Sequence, residues 1–373
     1  MTAPLAGLKV IELARVLAGP WIGQTLADLG AEVIKIESPK GDETRGWGPP
    51  FLEVDGEDIS AYFLSCNRGK SSIVIDFTKE DDLARLKDLI AEADILIENF
   101  KVGGLQKYGL DYESLSEKHP QLIYASVTGF GQTGPYAHRA GYDYLIQGMG
   151  GIMDLTGAPD GEPQKMGVAF TDIFTGLYGV IGIQAALRHR DQTGEGQHID
   201  LSLFDSIVGV LANQASNYLT TGTAPKRMGN AHPNICPYAV FPAFDGHIII
   251  AVGNDGQFAR LCEVLAIAEL ATDKRFKTNQ LRVQHRGALT ALIEAKTAEK
   301  TQIELLSLFE NATVPAAPIN NLEQLFADPH LKFREMVIDY EGVPGVRTPL
   351  KFSKSSLSLH KRAPLLGEDI QKD

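Results

Sequence analysis

The first 127 residues alternate between short apolar segments and helical patterns, and this alternation constrains the fold more than any other feature. Buried strands are predicted at residues 8–13, 31–37, 71–77, 94–98 and 122–127. Alternating strands and helices predict an α/β fold, with a Rossmann-like, mostly parallel sheet covered on both faces. Ligands of such sheets bind beyond the carboxyl ends of the strands.

The loops that follow these strands have the composition of a binding rim. They are rich in Gly, Pro and polar residues, and they span residues 15–20, 38–47, 99–104 and 128–135. The Gly-x-Gly-x-x-Gly turn of dinucleotide-binding domains is missing, since the first loop and its helix offer only Gly19 and Gly23. This absence argues against a dinucleotide-dependent dehydrogenase.

Length and charge narrow the function classes. The 373 residues, of which 44% are hydrophobic, predict two domains, and the Pro-rich segment 222–237 is a plausible crossing between them. The net charge of −12 disfavours a nucleic-acid partner. We expect no membrane-spanning segment and, with no histidine pair at ligand spacing, no metal site. Three widely spaced cysteines predict neither disulfides nor zinc, which indicates a reducing compartment such as the cytoplasm.

Asp172 opens a long, glycine-studded apolar segment that is predicted to be helical to about Arg190. Thr171 is predicted to cap this helix, which places Asp172 in the first turn. Glycines at every third position, Gly176 onward, predict a face that another backbone approaches closely. The residues alone leave open whether Asp172 is functional or merely opens a core helix, and Asp154 is a rival carboxylate.

Several cations lie near predicted strand ends and are candidates for binding a phosphorylated ligand. They are Arg15, Lys40, Arg45, Arg68, Lys70 and Lys107. Scattered surface charge is an equally good interpretation for any one of them. Cys66 lies near these basic groups, but its position is more typical of a buried thiol than of a nucleophile.

Seven motifs occur in an order that resembles the family III coenzyme A-transferases, the CaiB/BaiF family that includes formyl-CoA transferase. They are Arg15-Val-Leu-Ala-Gly-Pro20, Leu29-Gly-Ala-Glu-Val-Ile-Lys-Ile-Glu37, Asn67-Arg-Gly-Lys-Ser71, Glu98-Asn-Phe100, Ser126-Val-Thr-Gly-Phe-Gly-Gln-Thr-Gly-Pro135, Gly141-Tyr-Asp143 and the Asp172 segment. The resemblance covers nearly the whole chain.

The resemblance implies an interlocked homodimer of two-domain subunits. The implied parts are a large CoA-binding domain (1–205), a linker helix and loop (206–235), a small α+β domain (236–325) and a C-terminal segment (326–373) that returns to the large domain. It implies an acyl-CoA and a small carboxylate as substrates, with no tightly bound cofactor. Asp172 is the implied nucleophile, passing through an aspartyl anhydride and an aspartyl-CoA thioester.

The resemblance also implies the residues that contact coenzyme A. They are Val16, Leu17, Ala18, Ser38, Lys40, Lys70, Asn99, Phe100, Lys107 and Tyr142. Lys107 stands where the family often has Arg, which keeps the charge but loses bidentate geometry.

A 2-methylacyl-CoA racemase on the same fold is the alternative. Racemases of this type carry a His where this chain has Tyr142 and a Glu in the segment that is here Gly253–Gly256. Tyrosine is a poor base at neutral pH, so a transferase is favoured. The glycine-only loop of formyl-CoA transferase is also missing, which disfavours formate and oxalate as substrates. The breadth of the family, rather than any pocket residue, makes a succinyl-CoA-dependent dicarboxylate transferase the expected activity.

Overall fold

The computed structural model describes residues 2–369, which form two compact units. Unit 1 contains the residues up to 152, residues 165–223 and the residues from 330 onward. Unit 2 contains residues 153–164 and 224–329. The linker predicted at 206–235 therefore divides between the two units after residue 223.

A six-stranded parallel sheet forms the centre of unit 1. The strands up to residue 202 are β1 (Lys9–Glu12), β2 (Glu32–Glu37), β3 (Phe51–Val54), β4 (Glu57–Ser60), β5 (Lys70–Val74), β6 (Ile95–Glu98), β7 (Ile123–Thr128) and β8 (His198–Ser202). The sheet order is β5-β2-β1-β6-β7-β8, and every neighbouring pair is parallel. The predicted α/β class and parallel sheet are confirmed.

Helices cover both faces of this sheet. The helices up to residue 221 are α1 (Ala18–Asp28), α2 (Ala61–Leu64), α3 (Glu80–Ala91), α4 (Tyr112–Ser116), α5 (Asp143–Met149), α6 (Ile152–Leu155), α7 (Phe170–Thr193), α8 (Leu203–Gly209) and α9 (Ala212–Thr221), and residues 153–155 of α6 belong to unit 2. One core cluster joins the sheet to α1, α5, α7 and α8, and a second joins its other face to α3 and α4. Buried strands with near-continuous apolar runs fit this two-sided covering.

Unit 2 is built on a three-stranded antiparallel sheet in the order β11-β10-β9. The remaining elements are β9 (Tyr238–Ala243), β10 (Gly246–Ala251), α10 (Asp255–Val264), α11 (Asn279–Gln284), α12 (Arg286–Thr297), α13 (Gln302–Asn311), β11 (Ala316–Pro318), α14 (Leu322–Ala327), α15 (Pro329–Phe333), β12 (Val337–Tyr340) and β13 (Val343–Val346). Of these, β12 and β13 pair as a hairpin in unit 1. The segments 238–241 and 247–252, which flank Phe244-Asp-Gly246, predict a hairpin from the sequence, and the pairing of β9 with β10 confirms it.

The glycine face of α7 is confirmed as a close-packing surface. A methyl group added to Gly176 would lie 3.1 Å from the Ala18 carbonyl oxygen, and one added to Gly179 would overlap Ile22. The backbones of α7 and α1 therefore approach more closely than larger residues allow, which fixes where α7 begins relative to the loop before α1.

The sequence predicts one helix over residues 205–220, and this prediction is wrong. The segment forms two helices, and the second begins at Ala212, whose φ of 46° interrupts a continuous helix. The β3–β4 hairpin was not predicted from the sequence, although its Asp55-Gly56 turn carries the signal. Both turn residues have positive φ, as a type I′ turn requires.

The expectation that no segment is apolar enough to span a membrane is also wrong on length and hydropathy, because α7 meets both criteria with a mean hydropathy of 1.3. The glycine face of α7 nevertheless packs on α1 and the sheet within unit 1. A buried core helix of a globular protein passes the same criteria.

Candidate active site

The sheet order creates a crevice where the chain reverses direction across the sheet. From β1 the sheet extends on one side to β2 and β5, and on the other to β6, β7 and β8. The loops after β1 and β6 meet at this point, because the Asn99 amide donates to the Arg15 carbonyl at 2.7 Å and accepts from the Arg15 N–H at 3.0 Å. Open α/β sheets bind their ligands at such a point.

A cavity of about 590 Å³ opens at this crevice. It is lined by the loops after β1, β6 and β7, by the segment that leads into α5, and by Asp172 of α7. Of the residues predicted to contact the ligand, those on its wall are Val16, Leu17, Ala18, Asn99, Phe100, Tyr142 and Asp172. The structure thus brings most of them together, although they come from distant parts of the sequence.

The first loop holds a strained backbone at the cavity wall. Val16 has a φ of 72°, which is unfavourable for a β-branched residue and costs ~1–3 kcal/mol. Its N–H lies 3.2 Å from the Asp42 carboxylate, and its carbonyl oxygen accepts a weak hydrogen bond from the Cys66 thiol at 3.5 Å. Contacts on both sides of the peptide therefore hold this conformation in place.

The loop after β6 is fixed by a buried acid. The Glu98 carboxyl group accepts a hydrogen bond from the Phe100 N–H at 2.7 Å. Burial raises the pKa of Glu98 to about 7, against hydrogen bonds from Ser126 and Phe100 that lower it. Asn99 and Phe100 thus reach the cavity wall because the residue before them is anchored inside the sheet.

Glu43, Asp143 and Asp172 are the carboxylates on the cavity wall, and Asp172 is the candidate for chemistry. It lies in the first turn of α7 and is partly exposed to the cavity. Burial, and after it the charge of Asp143, raise the pKa of Asp172 to about 7. Within residues 2–369, Asp172 forms no ion pair. A carboxylate held without a neutralising cation is a stronger nucleophile than one in a salt bridge.

The predicted capping of α7 by Thr171 is wrong. The helix begins at Phe170, and Ala169 at the N-cap provides no side-chain hydrogen bond. The Thr171 hydroxyl is buried and has no hydrogen-bond partner among the described residues. Asp143 of α5 supplies the cap instead, accepting from the N–H groups of Thr171 at 2.8 Å and Asp172 at 3.3 Å.

Close backbone approach places Asp143 where it caps α7. Gly129 follows β7 and Gly141 precedes Tyr142, and a methyl group on either glycine would overlap the backbone of the other. Two residues without side chains therefore hold the start of α5 against the end of the sheet. Tyr142, next in sequence, is 60% exposed and faces the cavity.

Most of the predicted phosphate-binding cations lie elsewhere. Arg45 pairs with Glu37 at 2.7 Å, Arg68 with Asp28 at 2.6 Å, and Lys70 with Glu12 at 2.8 Å. These three candidates do not line the cavity, because each is paired with a carboxylate in the interior of unit 1. Arg15 does line the cavity, where it pairs with Glu43 at 2.9 Å.

Lys70 is the clearest case, since it was expected to contact the ligand directly. Its side chain has no exposed surface. Its ammonium donates to Glu12, to the Asn67 side chain and to the Pro20 carbonyl oxygen, all within 2.9 Å. All three donors are engaged below the first loop, so Lys70 supports this loop rather than lining the cavity. Ser38, Lys40 and Lys107 are exposed and are not on the cavity wall either.

Sequence reasoning missed three basic residues that do line the cavity, Lys101, His138 and Arg139. Arg139 stacks on the Tyr136 ring at 4.0 Å and forms no ion pair within residues 2–369. All three follow motifs that were identified, in the loops after β6 and β7, so their position after strand ends was the available signal.

Comparison with known proteins identifies relatives over nearly the whole chain. The model of CoA-transferase family III matches residues 5–370. The chain is 55% identical to a succinate–glutarate CoA-transferase of Agrobacterium fabrum, covering 98% of this chain and 93% of that one. It is 42% identical to a succinyl-CoA:glutarate CoA-transferase of Mus musculus, covering 98% and 84%. A CaiB/BaiF family structure from Brucella suis has a TM-score of 0.90 at 62% identity, covering 99% and 98%.

Proposed function

The chain belongs to CoA-transferase family III, and we propose that it exchanges coenzyme A between succinyl-CoA and a dicarboxylate such as glutarate through covalent intermediates on Asp172. The expected transferase class is confirmed by relatives that are named CoA-transferases. The observation that carries the mechanism is a partly buried carboxylate whose pKa is raised, which forms no ion pair among the described residues and faces a cavity at the ligand-binding edge of the sheet.

The proposed reaction balances without water. An Asp172 oxygen attacks the thioester carbonyl of the acyl-CoA, the C–S bond breaks, and CoA thiolate leaves an acyl-aspartyl anhydride. The thiolate then attacks the aspartyl carbonyl, releasing the donor acid as a carboxylate and forming an aspartyl-CoA thioester. The acceptor carboxylate attacks the carbonyl of this thioester, the C–S bond breaks again, and the CoA thiolate leaves a second anhydride. The thiolate finally attacks the acceptor carbonyl, which releases Asp172 and the new acyl-CoA.

Two basic residues of the cavity wall, Lys101 and Arg139, support anionic substrates, because neither forms an ion pair within residues 2–369. Arg15 and His138 also line the cavity, where Arg15 pairs with Glu43, and Asp143 and Asp172 are its other carboxylates. Coenzyme A carries phosphates, and a dicarboxylate keeps one free carboxylate after it is activated, so both substrates need cationic partners. Among the residues implied for coenzyme A, Val16, Leu17, Ala18, Asn99, Phe100 and Tyr142 stay in the proposed site, with Ser38, Lys40 and Lys107 as exposed candidates for its outer part. We propose that no tightly bound cofactor takes part.

We also propose that the working form is a homodimer in a reducing compartment such as the cytoplasm. Large apolar side chains are exposed along α5, α7, α8 and α9 of unit 1, namely Tyr144, Leu145, Met149, Leu177, Tyr178, Ile181, Val208, Tyr218 and Leu219. Patches of this kind on one subunit mark an interaction surface. The three cysteines are buried free thiols. Sedimentation as a monomer at micromolar concentration would contradict the dimer.

The covalent route is tested with glutarate labelled with heavy oxygen in its carboxylates. During turnover with succinyl-CoA, one labelled oxygen should appear in the Asp172 side chain, because the anhydride oxygen donated by the acceptor stays on the aspartate. Asp172→Asn should lower kcat by at least about 10⁴-fold while coenzyme A still binds. Asp154→Asn is the matched control, since Asp154 is a carboxylate of unit 2 that pairs with Arg227, and it should transfer normally.

Turnover that never labels Asp172 would exclude the covalent route. Exchange of the α-proton of an acyl-CoA in deuterated water, without any transfer of coenzyme A, would indicate a racemase instead.

A further inference from the structure

The nucleophile sits on a helix whose first turn is held by another helix. Asp143, at the first position of α5, accepts hydrogen bonds with one oxygen from the N–H groups of Thr171 and Asp172. With its other oxygen it accepts from the Gln147 side chain at 2.7 Å. The Gln147 amide oxygen in turn accepts from the Met166 N–H at 2.9 Å, and Gln147 is fully buried. One pair of side chains thus binds both the start of α7 and the stretch of chain leading into it.

This pair supplies side-chain hydrogen bonds that hold the first turn of α7, in addition to the packing of its glycines on α1. The residue at the N-cap of α7 offers no side-chain hydrogen bond, and the Thr171 hydroxyl bonds to nothing in the described residues. We propose that Asp143 and Gln147 form a positioning pair that orients the Asp172 carboxyl group towards the cavity and sets its reactivity. This inference rests on the proposed role of Asp172 as nucleophile.

The pair acts on Asp172 in two separable ways. Its hydrogen bonds fix the helix turn that carries the carboxyl group, and a misplacement of 1 Å at a reacting centre costs about 100-fold in rate. Its charge disfavours the ionised form of Asp172, and this repulsion disappears when Asp172 becomes a neutral anhydride or thioester. The free carboxylate is destabilised relative to the acylated states, which favours attack.

Other groups around Asp172 do not replace this effect. Tyr62 of α2 is affected by the charge of Asp172, because burial and then this charge raise the pKa of the Tyr62 hydroxyl. Arg15, Arg139 and Tyr142 line the same cavity, but none forms an ion pair or hydrogen bond with Asp172 among residues 2–369. After burial, the charge of Asp143 is the next largest cause of the raised pKa of Asp172.

A cycle of substitutions separates geometry from charge. In Asp143→Asn the amide nitrogen faces the Gln147 amide, so two donors meet and the pair loses a hydrogen bond. We expect kcat to fall about tenfold or more, with the KM for succinyl-CoA within about threefold. The acid limb of the pH–rate profile should move to lower pH, because a like charge next to Asp172 is removed.

The double variant Asp143→Asn with Gln147→Glu restores every hydrogen bond. The carboxylate introduced at position 147 accepts from both the new amide and the Met166 N–H, and the negative charge moves one turn away from Asp172. We expect kcat to recover to within about threefold of wild type while the acid limb stays low. Gln147→Glu alone places two carboxylates next to each other, and we expect it to have the lowest kcat of the three variants.

Asp111→Asn is the matched control. Asp111 caps α4 through the Ser114 N–H at 3.2 Å, so this change also weakens a helix cap by the same chemistry. It should leave kcat and the acid limb unchanged. The proposal would be overturned if Asp143→Asn kept the kcat of wild type and the same acid limb of the pH–rate profile. It would also be overturned if the double variant had a kcat no higher than that of either single variant.

Carbon-13 labelling of aspartate carboxyl groups gives a readout that needs no turnover. Asp172, assigned by its loss in Asp172→Asn, should titrate at lower pH in Asp143→Asn than in wild type. An unchanged titration would count against the inference. If wild type never labels Asp172 during transfer but this titration shifts, the covalent route fails while the coupling of the two carboxyl groups stands.

Discussion

Two groups of carboxylates in unit 1 differ in their neighbours: one group is paired with cations, and the other is not. Below the first loop, Glu12, Glu37 and Asp42 face three cations, Lys35, Lys70 and Arg45, at 2.7–3.1 Å. At the cavity, Asp172 has the carboxylate Asp143 as its neighbour and no cation partner within residues 2–369.

The pKa values follow these partners. Burial alone would raise the pKa of Asp42, yet the Lys35 charge and the hydrogen bonds from Thr44 outweigh burial and hold it below normal. Burial, and after it the charge of Asp143, raise the pKa of Asp172 to about 7, and no cation pairs with Asp172 within residues 2–369 to oppose them. Charge pairing therefore stabilises the scaffold, while its absence leaves the reactive carboxylate destabilised and available for attack.

Removing a cation from the paired group should have the largest effect on stability. In Lys35→Met, Glu12 and Asp42 lose their shared cation in the interior, and we expect the free energy of unfolding to drop by about 3–5 kcal/mol. Chemical denaturation measures the loss. Lys9→Met is the control, since Lys9 pairs with the largely exposed Glu92 and its removal should cost less than about 1 kcal/mol. Equal losses in both variants would show that the interior pairing contributes no special stability.

Replacing the unpaired carboxylate Asp172 by a neutral side chain should raise the free energy of unfolding instead of lowering it. Asp172 has a higher pKa in the folded protein than in the unfolded chain, so its contribution to stability is present at low pH and is lost as pH rises through about 7. Asp172→Asn should therefore be more stable than wild type at pH 8, by about 2 kcal/mol after allowance for its partial exposure. The gain should shrink as pH falls towards 4, which denaturation at several pH values measures. A constant or negative difference would contradict the raised pKa.

Val16 connects the paired carboxylates to the cavity, and a substitution there should have the smallest effect on stability. Asp42 of the paired group binds the Val16 N–H, and Val16 lines the cavity. Val16→Gly relieves the strain of a positive φ but frees the unfolded chain, so stability should change by less than about 1 kcal/mol. The KM for succinyl-CoA should rise a few-fold because the loop is less rigid. A large loss of stability would show that the Val16 side chain, rather than its backbone, is what the loop requires.

The sequence by itself determined the alternation of strands and helices, the parallel sheet and the loops that form the binding edge. The residues alone left Asp172 and Asp154 as rival carboxylates, and the resemblance of the whole chain to a family was what singled out Asp172. Val16, Leu17, Ala18, Asn99 and Phe100 were placed in the site by their family motifs and their positions after strands, and all of them line the cavity.

Only the tertiary structure decided which charges face the cavity and which face each other. Lys70 and Glu12 are 58 residues apart, and Asp143 caps a helix 28 residues further along the chain. Periodicity reports which face of an element is apolar, but the partner of a buried charge depends on which strands lie side by side. Lys70 therefore looked like a ligand-binding cation, and Thr171 like the cap that Asp143 supplies.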